Sequence, residues 1–440
     1  MRIGSLLLPS LSALPLQGFG AIAKISGVSP WMMLPFALLL LAISLGPFLM
    51  RRWWDRYYPL VSLGLGLFVL VYYAIFLDVG RVLGTLVEYF SFIVLIGSLY
   101  TVSGGIFLHT ERHATPWMNT LLLAIGALVS NVLGTTGASV LLIRPFLRTN
   151  RPRVRGFHVV FFIFIVSNMG GALTPIGDPP LLLGYLNGIP FTWTLQKVWS
   201  AWLLALALVL ATFFLLDTYS YRKWSGERHR HFQGAGSELR GTHNFVFLFI
   251  ILAAIFAATP VREIIMIAAT AAAHRFAGKD TLRANQFTFA PIREVAILFA
   301  GIFATMAPAL DWMALHADRL GIQTPGHFFW CTGILSSFLD NAPTYLSFLS
   351  AAMGLHHLTL GNPEQVAILL RQHADLVRGV SLGAVFFGAI TYVGNGPNFM
   401  IKSIAEHAGI KCPSFIGYIL CYSLPVLLPV FTLIWFLFLH

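Results

Sequence analysis

Residues 171–180 read Gly171-Ala172-Leu173-Thr174-Pro175-Ile176-Gly177-Asp178-Pro179-Pro180, and residues 388–397 read Gly388-Ala389-Ile390-Thr391-Tyr392-Val393-Gly394-Asn395-Gly396-Pro397. A Gly, a Thr, a second Gly and an Asp or Asn recur in the same order at the same spacing. Each segment interrupts an apolar run. Gly and Pro stop a helix, and in lipid a stopped helix survives only where protein or an aqueous cavity covers the freed backbone. One such break alone is a common kink in membrane helices. Two that match are a repeat, and paired broken helices point to a binding site near mid-bilayer, where half-helix ends supply partial charges.

Upstream of each break lies an apolar stretch too long for one span, 117–147 and 327–353. Each carries a polar tip: Ser130-Asn131-Val132-Leu133-Gly134-Thr135-Thr136-Gly137 in the first and Ser336-Ser337-Phe338-Leu339-Asp340-Asn341-Ala342-Pro343-Thr344 in the second. These read as helical hairpins that enter the membrane and return to the same side. Single spans are expected near 31–50, 59–77, 89–108, 198–217, 243–258, 261–276, 294–310 and 415–438, with interrupted ones at 158–187 and 380–401. Each half then holds three spans, a hairpin, a broken span and a final span. Five crossings is an odd number, so the second half must be inverted. The expected fold is an all-α polytopic membrane protein with two inverted repeats, each of five spans plus a re-entrant hairpin and a broken helix. The expected division is an N-terminal apolar extension at 1–30, the first repeat at 31–217, a cytoplasmic linker at 218–242 and the second repeat at 243–440.

Composition agrees. The 440 residues are 57% hydrophobic and only 10% charged, with mean hydropathy +0.77, against about 25% charged residues in soluble domains. Long apolar runs near the ~20 residues that cross a bilayer recur from Trp31 onward. The net charge of +11 forms no basic patch with interleaved aromatics, which argues against nucleic acid. Arg51, Arg52 and Arg56, then Arg148, Arg151, Arg153 and Arg155, crowd loops that this topology leaves inside, as the positive-inside rule requires. Cys331, Cys412 and Cys421 have no metal-ligand spacing.

Most of the seventeen Asp and Glu fall in loops or at span ends. Asp178, in the first broken span, and Asp340, at the second tip, do not. A carboxylate within the membrane by default marks an ion path or proton relay. The structural alternative is that each caps a half-helix.

At these motifs the chain resembles the ion transporter superfamily, which includes NhaD-type sodium/proton antiporters, arsenite permeases and citrate or dicarboxylate carriers. The residues that carry the resemblance are Ser130-Asn131, Ser167-Asn168-Met169-Gly170-Gly171 leading to Thr174-Pro175-Ile176-Gly177-Asp178-Pro179-Pro180, and Leu339-Asp340-Asn341-Ala342-Pro343-Thr344. The resemblance spans roughly residues 31 to 440. It implies a homodimeric, elevator-type transporter of the inner membrane, with ligands drawn from Ser130, Asn131, Thr135, Thr136, Thr174, Asp178, Asp340, Asn341, Thr391 and Asn395. One departure stands out. The carboxylate carriers of the superfamily place Ser-Asn-Thr at both tips, whereas here Val132 takes the third position of the first tip and Asp340-Asn341 stands at the second.

Two intramembrane carboxylates with no basic residue in the four breaks favour a cation. Sodium, a hard ion, suits carboxylate, hydroxyl and carbonyl oxygens, and Asp178 and Asp340 are its expected ligands. A proton competes for the same carboxylates. Sodium/proton antiport is therefore the first expectation, with no cofactor beyond the transported ions. A sodium- or proton-coupled citrate or dicarboxylate carrier is the alternative, with Arg144 or Lys402 to balance the anion. An aspartyl protease dyad is not expected, because the chain has no Tyr-Asp dipeptide.

Overall fold

The computed structural model describes residues 29–440 except 110–114, 152, 225–237, 286, 317–320, 359 and 361. Nearly all of the expected extension at 1–30 and the middle of the expected linker at 218–242 lie outside the described residues. The helices are α1 (Leu34–Leu49), α2 (Arg51–Phe76), α3 (Val79–Gly104), α4 (Pro116–Thr149), α5 (Gly156–Ile165), α6 (Pro179–Leu186), α7 (Trp193–Trp224), α8 (Asn244–Ala254) and α9 (Val261–Phe276). They continue with α10 (Lys279–Ala284), α11 (Ala290–His316), α12 (Pro325–Ser336), α13 (Asn341–Leu355), α14 (Pro363–Gln372), α15 (Ala374–Phe387) and α16 (Gly396–His407). The last helix begins as α17 (Phe415–Tyr418), widens to a π-helical stretch at Ile419–Leu427 and ends as α18 (Leu428–Phe438). A two-stranded antiparallel ribbon, β1 (Phe107–His109) on β2 (Glu238–Arg240), is the one departure from helix among these elements. The class is all-α and the protein is a multi-pass membrane protein: among the described residues seven helical stretches are long and apolar enough to cross, or eight if α14 and α15, bent by 98° on each other, count as one span.

The first hairpin is written in its hydrogen bonds. Asn119 and Asn150 exchange two side-chain bonds of 2.8 Å, although 31 residues of straight helix would hold them about 46 Å apart. The chain folds back at Gly134, whose φ of +74° and ψ of 153° are non-helical; a side chain is rarely tolerated at such φ. The second hairpin closes likewise, with Phe328 of α12 edge-on to Phe348 of α13 at 6.4 Å between centroids.

The expected span at 243–258 is corrected. α8 has 11 residues, about 16 Å of helix, too short for a hydrocarbon core of about 30 Å. It turns at Ala254–Pro260 and returns as α9, so that Phe247 stacks on Phe276 at 6.3 Å. α7 also continues to Trp224, which makes the first part of the expected linker helical.

The broken spans run through the middle of the molecule. All residues of α5 from His158 to Ile165 are buried, as are all but one of α15 from Leu376 to Phe387 counted with their continuation to Ile390. Around them, α2 and α3 turn Leu60, Leu67, Phe68, Ile75 and Leu83 outward, as lipid-facing helices do. α2, α3 and α11 pack on one another and share the core with the broken spans. Phe92 stacks on Phe299 at 4.9 Å, and Tyr73 and Arg81 both donate to the buried carboxylate of Asp311, at 3.0 and 3.2 Å.

Candidate functional site

The two breaks are built alike. In the first, Thr174 donates its hydroxyl to Asn131 O at 2.6 Å and accepts from Gly177 N at 3.1 Å. In the second, Thr391 donates to Ser337 O and accepts from Gly394 N at 3.1 Å. Each Thr thus ties a crossover to its hairpin tip while satisfying backbone that the stopped helix leaves bare. A final helix closes each side: Trp202 donates to Met169 O at 2.8 Å, and Ser423 donates to Ile390 O at 2.8 Å. Asp178 and Asn395 then occupy equivalent positions, each at the N-cap of the half-helix that follows, with extended backbone and no capping bond from the side chain.

Freed from capping, the Asp178 carboxylate turns to three other side chains. Its Oδ1 accepts from Thr135 Oγ1 at 2.6 Å and Asn395 Nδ2 at 3.2 Å; its Oδ2 accepts from Asn341 Nδ2 at 2.7 Å. One residue from each hairpin and one from the second break therefore meet at a carboxylate of the first break. Asp178 is fully buried, and Asp340 is close enough for the two charges to repel. Asp340 itself follows the structural alternative: its Oδ1 accepts from Ala342 N at 3.0 Å and caps α13. Asn341 Oδ1 is buried with no hydrogen-bond donor among the described residues.

The remaining expected residues hold the loops. Ser130 donates to Val166 O at 2.8 Å, and Asn131 spans the first break through Gly170 O and Leu173 N at 2.6 and 2.9 Å. Thr174 and Thr391 make the ties described above. Thr136 is buried one position beyond Thr135. Asn168 and Asn398 belong to the same cluster although sequence reading did not select them. Asn168 Nδ2 donates to Asn398 Oδ1 at 2.7 Å, and its own Oδ1 accepts from Asn395 at 3.2 Å. Both stand inside or beside the quoted motifs, which was the available signal.

Burial is what the sequence did not show for three of the carboxylates expected in loops or at span ends: Asp217, Glu263 (in the first turn of α9) and Asp311 are buried. Asp217 accepts from Asn119 at 2.8 Å and His158 at 3.1 Å and is paired with Arg153. Nothing in its apolar surroundings in the sequence signals these partners, which come from three separate elements. Of the two cations considered for an anion, Lys402 is paired with Glu406 at 2.8 Å.

The donors gathered here are oxygens, the kind a hard cation takes. Asp178, Asp340 and the open Asn341 Oδ1 offer oxygen only, and the described residues hold no group of three or more His, Cys, Asp or Glu placed to bind a metal. The model of a family described as "Putative citrate transport" matches residues 25–439, so the chain belongs to that family and is a transport protein. No curated protein matches it.

Proposed function

We propose that the chain is a secondary active transporter in which sodium and protons compete for Asp178 and Asp340, and that its activity is sodium/proton exchange. The observation that carries this reading is the fully buried Asp178 carboxylate, coordinated by Thr135, Asn341 and Asn395, with Asp340 beside it and no basic residue bonded to either among the described residues. An unneutralised carboxylate in a membrane interior is strongly disfavoured. Sodium or a proton relieves that cost, and the two exclude each other. The matched breaks support an inverted arrangement of 31–217 and 243–440, as expected of alternating-access transporters. On this reading the hairpins and broken helices move as one elevator body in the inner membrane, against a scaffold of α2, α3 and α11 that also pairs two copies.

Sodium added to everted vesicles is expected to dissipate a preformed pH gradient. The apparent sodium affinity should weaken as pH falls, because a protonated carboxylate does not coordinate the ion. Asp178→Asn and Asp340→Asn should each abolish exchange. Asn is itself a good cap, so the second substitution removes charge at position 340 without unseating α13.

A second reading, citrate carried together with sodium or protons, is supported by the family description. On that reading sodium alone leaves the gradient unchanged, and ion movement requires citrate. A folded protein that moves neither solute would overturn both readings.

A further inference from the structure

Asn168 and Asn398 are fully buried amides that the breaks themselves do not require. Counted from the matched Thr174 and Thr391, the position of Asn168 in the second half is Val385, and the position of Asn398 in the first half is Leu181. Each break is therefore built once without its amide. A buried amide costs free energy unless its hydrogen bonds are made, so what the two amides bond decides what they are for.

Their bonds run in one line from the second break to Asp178. Asn398 Nδ2 donates to Gly388 O at 2.7 Å and to Thr391 O at 3.0 Å, two carbonyls that can only accept. Its Oδ1 is thereby turned to Asn168, which donates Nδ2 to it at 2.7 Å and to Ile163 O of α5 at 2.8 Å. The Oδ1 of Asn168 is left to accept, and it takes Asn395 Nδ2 at 3.2 Å. The same Nδ2 donates to Ser167 O at 3.1 Å and to Asp178 Oδ1 at 3.2 Å. Acceptors of the first break thus surround one amide nitrogen of the second. The backbone carbonyls fix which way every amide in the line points, and Asn395 meets Asp178 with N–H rather than oxygen. Asn168 also lies against the second crossover, where a Cβ at Gly388 would stand 2.9 Å from its Oδ1.

We infer that Asn168 is a positioning residue, which reaches from the first broken helix to hold Asn395 as a hydrogen-bond donor against Asp178. Hydrogen bonds donated to a carboxylate favour its charged form, the form that takes a cation. Asn395 then serves the site as a donor, not as the ligand that the resemblance implied. This role rests on the reading above that Asp178 takes the transported cation, but the bond is testable without any solute.

The test uses the full-length protein and the variants Asn168→Ala, Asn395→Ala and the two combined. Sodium-driven exchange in vesicles at fixed pH gives KM and maximal rate. Infrared difference spectra of the protein in detergent, between acid and alkaline pH, read the Asp178 carboxyl band, identified by its absence in Asp178→Asn. Asn168→Ala should raise the apparent KM for sodium about threefold to tenfold, as expected when a bond to a charged group is loosened, with the maximal rate little changed. It should also move the Asp178 band towards its position in Asn395→Ala. The combined variant should match Asn395→Ala alone in both measurements, because a residue that acts only through another adds nothing once that one is gone. Should Asn168→Ala not fold, Asn398→Ala decides, since it withdraws the acceptor that orients Asn168, and the band should move the same way by less. An unmoved Asp178 band, additive effects in the combined variant, or a fall in rate with KM and band unchanged would overturn the inference. A band that moves as expected in a protein that exchanges no sodium would sustain the role of Asn168 and defeat the sodium reading alone.

Discussion

Asn341 Nδ2 lies 2.7 Å from Asp178 Oδ2, joining the second hairpin to the first broken helix across 163 residues of chain. Its amide is spent on one end only, because Oδ1 is buried without a donor among the described residues. A cation beside Asp178 would take that oxygen as a ligand and complete the amide.

Asn341→Ala should therefore raise the apparent KM for sodium about tenfold or more. A hydrogen bond to a charged group is worth about 1.5–3 kcal/mol, and each 1.4 kcal/mol is a factor of ten. Thr135→Val should act similarly through Oδ1, and Thr135→Ser should not. Sodium-dependent transport in vesicles at fixed pH measures all three.

Gly177→Ala and Gly394→Ala should both impair transport, the first more severely. Neither glycine has positive φ; the reason each must be Gly is close approach. A Cβ at Gly177 would lie 2.1 Å from Gly171 O, and one at Gly394 would lie 2.7 Å from Ser336 O and 2.8 Å from Gly388 O. These neighbours are backbone, so the crossover itself must open and carry Asp178 or Asn395 with it. Transport per folded molecule, with folded protein assayed by size-exclusion chromatography, separates this from simple instability. Normal transport in both would mean that the breaks are only kinks.

Much of this was legible in the sequence, because the breaks are local events. Gly, Pro and a polar tip in an apolar run state where a helix stops, whatever packs around it, and the carboxylate in lipid marks Asp178 without a structure. What could not be read is which partner reaches which oxygen. Thr135, Asn341 and Asn395 meet only after the hairpins fold back, and for Asp340 the sequence favoured a ligand role over the cap on α13 that the structure shows. The burial of Asp217 was not legible because its neutralising partners lie 59 to 98 residues away, where hydropathy has no view. The short α8 was misjudged because an apolar run does not reveal whether it ends in a turn.

Asp217→Ala should destabilise the protein by about 3–5 kcal/mol, the usual result of removing one partner from a buried ion pair. The carboxylate is fully buried and binds Arg153, His158 and Asn119. Asn119 is also half of the clasp that shuts the first hairpin, so the loss should loosen its base. Thermal melting in detergent measures the effect. Arg153→Leu added to Asp217→Ala should recover part of the loss, since the second change removes the stranded cation.

His356 and His373 stack 3.6 Å apart between centroids, beyond the end of α13 and at the α14–α15 corner. Partial burial, followed by the charges of His373 and His357, holds His356 below its ordinary value of 6.5. With the folded value depressed, the unfolded chain binds the proton more readily. The stabilising contribution is therefore present above about pH 6.5 and is lost as pH falls below it. Melting temperature should drop between pH 7 and 5, and His373→Phe, which keeps the stacked ring without its charge, should flatten that drop.

The last prediction concerns orientation. The short α8 returns as α9, so the pair changes the expected five crossings of the second half by an even number. The odd number that remains in each half is expected to place the bases of the two hairpins on opposite faces of the membrane. Arg151 follows the first base and Glu364 the second, both are exposed, and neither lies inside a tip. Residue 359, nearer the second base, lies outside the described residues. In a background lacking Cys331, Cys412 and Cys421, Arg151→Cys should label from the cytoplasmic face and Glu364→Cys from the other. Removing Cys412 is a precaution only, because burial, followed by the Glu406 charge, pushes its thiol up to about 12 and leaves little thiolate to react. Impermeant maleimide applied to right-side-out and everted vesicles distinguishes the faces. If both positions label from one side, the two halves run parallel. The matched Thr174 and Thr391 ties would then be a local resemblance without the inversion that alternating access uses.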